Sequence, residues 1–124
     1  MNTPSKKRSR KEQQELDLEI RTLSLEIADA KERLRWNRVE VEKCATLVRE
    51  TRRRIQGWKL LVIGLPDPNE RSKMNADLTS LEKKVEDYSY QLAELRSKVR
   101  RGSKSNQDLE DRLVRVRNAL KMPT

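Results

Sequence analysis

Apolar residues recur in this chain at alternating steps of four and three, in two long runs separated by Pro66 and Pro68. The first run is Leu16, Ile20, Leu23, Ile27, Ala30, Leu34, Asn37, Val41, Cys44, Val48, Thr51, Ile55, Trp58 and Val62, with only Asn37 and Thr51 clearly polar. The second is Met74, Leu78, Leu81, Val85, Tyr88, Leu92, Leu95, Val99, Gly102, Asn106, Leu109, Leu113, Val116 and Leu120. A mean spacing of 3.5 residues marks the seam of a coiled-coil helix, because it keeps one narrow stripe facing a partner. The phase slips in neither run.

Two seams of matched length on either side of a short turn predict an all-α fold, a long antiparallel coiled-coil helical hairpin. Folded back, Val62 lies opposite Met74 and Leu16 opposite Leu120. Trp58 then meets Leu78, Ile55 meets Leu81, Val48 meets Tyr88 and Cys44 meets Leu92. The expected divisions are a disordered basic tail over residues 1–11, a first helix over 12–63, a turn over 64–67 and a second helix over 68–122.

Local signals agree with these divisions. Glu12, Glu15, Asp17 and Glu19 lie in the first turns of helix 1, where negative charge suits the helix dipole. Gly57 is its weak point, a place to fray or bend. Gly64 is read as a C-terminal cap, and Pro66 prevents continuation. Asp67-Pro68-Asn69-Glu70 is a start signal: Asp67 caps, Pro68 fits the first helical position, and Glu70 follows three residues after the cap.

Charges on the flanks of the seam support the register. Asp17 falls near Arg117, Glu19 near Arg112, Arg52 near Glu82 and Arg54 near Asp77. The middle differs, because there Leu34 faces Gly102, Ala30 faces Asn106 and Asn37 faces Val99. Residues 100–106 are the candidate helix break, which would leave a third helix capped by Ser105 with Asp108 behind it. Unbroken phase argues for continuity, while Gly102 and the serines argue against it.

Composition separates an extended helical structure from a globule. The chain is 40% charged and 34% hydrophobic, with no Phe. A compact domain needs more apolar surface to offset the entropy of ordering the chain, whereas a hairpin needs only its stripe. The net charge of +9 favours polyanionic partners, namely nucleic acid, acidic protein segments or anionic membrane. One cysteine, Cys44, allows no internal disulfide and fits a reducing compartment. No apolar run is long enough to span a membrane, and the N-terminus lacks the apolar core of a signal peptide.

Catalysis finds almost nothing to work with, so the chain is expected not to be an enzyme. There is no His, and Cys44 falls on the seam, where it serves as a small apolar residue. No phosphate-binding glycine loop or metal-ligand cluster is present, so no cofactor or metal is expected. The informative features are basic and apolar. Arg33, Arg35, Arg38, Arg96, Lys98, Arg100, Arg101 and Lys104 form a belt expected to gather at the middle of the hairpin. There it would contact a DNA or RNA phosphate backbone or an acidic partner. Arg49, Arg52, Arg53 and Arg54 form a second cluster nearer the turn. No aromatic platform accompanies either, which speaks against reading of bases.

Helix 1 also carries apolar residues off its seam: Leu18, Leu25, Trp36, Val39, Leu47, Leu60 and Leu61. Helix 2 has chiefly Tyr90 and Val114. A hairpin buries one stripe per helix, so the excess on helix 1 points to helical packing against one or more protein subunits. The run of residues 58–65 at the turn is the densest apolar stretch and a docking candidate. Lys6, Lys7, Arg8, Arg10 and Lys11 form a cluster of the nuclear-import type, placing the chain in the nucleus. Thr3-Pro4-Ser5-Lys6 fits a proline-directed kinase, and phosphate there would weaken the cluster's hold on an anion.

In type, the pattern resembles small nuclear coiled-coil subunits of recombination, chromatin and kinetochore assemblies. The resemblance implies a structural or adaptor role in a DNA-associated complex. The alternative is a direct, sequence-independent nucleic-acid-binding helical module. A competing architecture is a parallel homodimer of helix 1, suggested by the β-branched residues Ile20, Ile27, Val41, Val48, Ile55 and Val62 at one seam position. Ala30, Asn37, Cys44 and Thr51 at the other position weaken it.

Overall fold

A computed structural model describes residues 9–121. Two α-helices account for nearly all of them: α1 (Arg10–Ile63) and α2 (Pro68–Lys121), each of 54 residues. They pack against each other as a helical hairpin.

Both helices begin where side chains satisfy the free N–H groups of a first turn. At α1 the cap is Ser9, whose Oγ accepts from the Glu12 N–H at 3.1 Å, while its carbonyl accepts from the Gln13 N–H at 3.1 Å. Ser9 and Glu12 have the spacing of a capping box. The cap corrects the extent assigned to the basic tail, since Arg10 and Lys11 belong to α1. Lys6, Lys7, Arg8 and the Thr3-Pro4-Ser5-Lys6 pattern lie outside the described residues. At α2, Asp67 Oδ1 accepts from the Asn69 N–H at 2.9 Å, and the Asp67 carbonyl accepts from the Arg71 N–H at 3.0 Å.

The end of α1 differs from the expected glycine cap. Gly64 does not adopt a left-handed conformation. The last turn instead tightens, with the Gly64 N–H donating to the Leu61 carbonyl at 3.1 Å and the Leu65 N–H to the Val62 carbonyl at 3.2 Å. Pro66 follows and stops the helix. Gly57 causes no interruption of α1, and a Cβ there would meet no atom within 4 Å.

The described chain divides into two compact units. One takes the described residues up to Arg35 with those from Arg100 onward; the other is Trp36–Val99. In the first unit Leu23, Ile27 and Leu113 form a buried cluster, with Ile20, Leu109 and Val116 packed on it. In the second, Cys44, Val48 and Leu92 form one cluster. Ile55, Leu78 and Leu81 form another, backed by Trp58, Val62 and Val85. Each cluster draws its members from the facing pairs of the antiparallel register. The α1 seam is thus buried by α2 of the same chain, which removes the need for a parallel homodimer.

The proposed helix break does not form: residues 100–106 are α-helical throughout. Gly102 faces Leu34, as the register requires, and a Cβ at residue 102 would lie 3.4 Å from Leu34 Cδ1. Leu34 is buried there, so its side chain occupies the space the glycine leaves. One glycine costs a helix about 1 kcal/mol, too little to break a run whose phase is intact on both sides. Asn106 is buried with its Oδ1 unpartnered.

Candidate functional site

Charge pairing across the helices follows a rule the sequence did not make obvious. Lys31 Nζ lies 3.3 Å from Glu110 Oε1, and Lys59 Nζ lies 3.9 Å from Glu82 Oε1. All four residues directly follow a seam position. The expected partner of Glu82 was Arg52, one heptad before Lys59. The difference comes from side-chain tilt. Each Cα–Cβ bond leans toward the N-terminus of its own helix, and in antiparallel neighbours these leanings oppose each other. Lys59 and Glu82 lean together, whereas Arg52 and Glu82 lean apart. Asp17–Arg117 has the diverging geometry of Arg52–Glu82. Glu19–Arg112 and Arg54–Asp77 stand five residues off the facing register and diverge in the same sense.

The same rule locates arginines with no acid across from them. In the second unit, the position matching Arg52 in this converging geometry is Ser89, and the position matching Arg96 is Ala45. A groove of about 560 Å3 opens on this flank. Its rim carries Arg49, Arg52, Arg53 and Arg96, and its trough is made by Ala45, Ser89 and Ala93. Val48 and Leu92 close the floor and are themselves buried. Among the described residues lining it there is no carboxylate. Arg49, Arg52 and Arg53 were visible in the sequence as a cluster, but Arg96 joins them through the register. Arg54, counted with that cluster, does not line the groove.

The expected basic belt is distributed over both units. Arg33, Arg35, Arg100, Arg101 and Lys104 belong to the first, and Arg38, Arg96 and Lys98 to the second. All eight are exposed. In the first unit Arg33 and Arg35 flank Leu34, and Arg101 adjoins Gly102, so these three surround a point where the helices are in contact.

The apolar residues off the seam are mostly exposed. On α1, Leu18 is 64% exposed, Leu25 69% and Leu60 73%, with Trp36, Leu47, Leu61 and Ile63 also open to solvent. On α2 the large exposed apolar residues are Tyr90 and Val114. Val39 departs from the expected interface set. It shares the helical position of Leu18 and Leu25 but is half-buried.

Cys44 donates from Sγ to the Tyr88 carbonyl at 3.3 Å and is buried. No group of three His, Cys, Asp or Glu residues among those described is placed to hold a metal ion. No helix among the described residues is long and apolar enough to cross a membrane. Comparison with protein-family models, with curated proteins and with solved structures gave no match.

Proposed function

We propose that this chain is a non-enzymatic coiled-coil structural or adaptor subunit of a nuclear, DNA-associated assembly of the chromatin, recombination or kinetochore type. The observation that carries the reading is the asymmetry between the helices. The α1 seam is already buried against α2, yet α1 still presents Leu18, Leu25, Leu47, Leu60 and Leu61 to solvent. Single exposed leucines are ordinary, but such a set on one helix is suited to another helix or subunit. Trp36 supplies a large amphipathic anchor of the kind that dominates protein contacts. The net charge of +9 supplies affinity for a DNA-containing assembly.

The test is capture from nuclear extract in high salt, with the mass of the complex measured for wild type and for Leu18→Asp/Leu25→Asp. A stoichiometric protein partner that survives high salt and is lost in the variant is expected. Capture of the same proteins by both would sink the adaptor reading. A second reading, a direct sequence-independent nucleic-acid-binding module, is favoured by one observation: the arginine groove has no carboxylate among its lining residues.

A further inference from the structure

We propose that the groove bounded by Arg49, Arg52, Arg53 and Arg96 is a binding site for the phosphate backbone of nucleic acid. The inference rests on the second functional reading and assigns it a place and a chemistry.

The argument starts from what surrounds each guanidinium. Arg49, Arg52 and Arg96 have no acidic residue three or four positions away in their own helices. Across the groove, the converging positions that give Lys31 and Lys59 their glutamates give Arg52 a serine and Arg96 an alanine. Arg49, Arg52 and Arg96 therefore line one trough with no acid at these positions, and Arg53, which has Glu50 three residues before it, adds a fourth positive charge. Such a set raises the local positive potential and is relieved by an anion from outside.

The trough decides which anion. Ala45, Ser89 and Ala93 are small, so a bound group can settle between the arginine rims. An acidic helix from another protein would need exposed apolar side chains to anchor its own stripe. Here the apolar floor residues Val48 and Leu92 are buried in the hairpin core. Such a helix would be held only by rim charges, which contribute little affinity. A phosphodiester backbone needs no apolar anchor. It binds through charge neutralisation and counterion release, and planar guanidinium forks match phosphate oxygens two at a time. No aromatic ring lines the groove, so nothing there stacks on a base and the site takes any sequence.

The experiment is fluorescence anisotropy of a labelled DNA duplex titrated with the full chain over a series of salt concentrations. Wild type is compared with Arg49→Gln/Arg52→Gln/Arg96→Gln and with Lys73→Gln/Lys83→Gln/Lys84→Gln, which removes the same charge elsewhere in the second unit. Circular dichroism confirms helicity in both variants. The groove variant should bind roughly tenfold or more weakly, and the salt slope should fall by about 2.7, three phosphate contacts at about 0.9 each. The lysine variant should change both much less. Equal losses in the two variants overturn the groove while leaving the second reading in place. Absence of binding by wild type overturns both. Polyglutamate competing as well as unlabelled duplex at equal charge overturns phosphate as the ligand.

Discussion

Two stretches of the same seam have opposite contents. Around Cys44 the seam is apolar: Cys44, Val48 and Leu92 are buried together, with Val41, Tyr88 and Leu95 closing around them. Between Ala30 and Leu34 the facing residues are Asn106 and Gly102, and the one large apolar side chain is Leu34. Helix is uninterrupted in both. Continuity and packing thus have separate causes. Continuity follows from unbroken phase and from the absence of proline. Packing follows from what each seam position carries.

The comparison can be broken most forcefully at its apolar side. Leu92→Ala should cost about 2–5 kcal/mol, because the removed atoms leave a cavity among Cys44, Val48 and their neighbours. Urea unfolding followed by circular dichroism measures it, and a loss near zero would mean that this cluster does not hold the second unit together. On the polar side the sign reverses. Asn106→Leu should add roughly 1–3 kcal/mol, since it removes a buried acceptor without a partner and places an apolar side chain opposite Ala30. A destabilised variant would show that Asn106 is satisfied in solution by something such as water.

The smallest effects come from the glycines. Gly57→Ala meets open space and should gain about 0.5–1 kcal/mol from helix propensity alone. Gly102→Ala should gain no more than that, because the new methyl comes 3.4 Å from Leu34 Cδ1. Thermal melts of the two variants side by side isolate the cost of moving Leu34. An equal gain would show that Leu34 yields freely, and a net loss would show that it is wedged.

The hairpin was legible because a seam needs only two kinds of information, spacing and a turn, and both are local. Asp67, Pro68 and Glu70 named the start of α2, and the facing pairs followed by counting. Features that depend on direction were harder to read. Glu82 pairs with Lys59 because side chains lean, and leaning is invisible in a list of facing positions. Ser9 has the composition of a basic tail on both sides, and only its capping-box spacing to Glu12 marks it as the start of a helix. Gly102 and the serines after it signal a break by local propensity, which intact packing on both sides overrides. The groove was half legible. Three of its arginines sit together in sequence, but Arg96 and the lack of acids opposite emerge only when both helices are in place.

The thiol of Cys44, enclosed by Tyr88 and Leu92, has a consequence for how this molecule can be watched. A bulky thiol reagent reaches a sulfur held 3.3 Å from a carbonyl of the opposite helix only after the two helices have parted locally. The rate at which Cys44 labels, set against that of a free thiol, therefore reports the fraction of time the second unit stands open. With no other cysteine in the chain, this opening clock needs no mutation to install. It would tick more slowly for any ligand that clasps the two helices together.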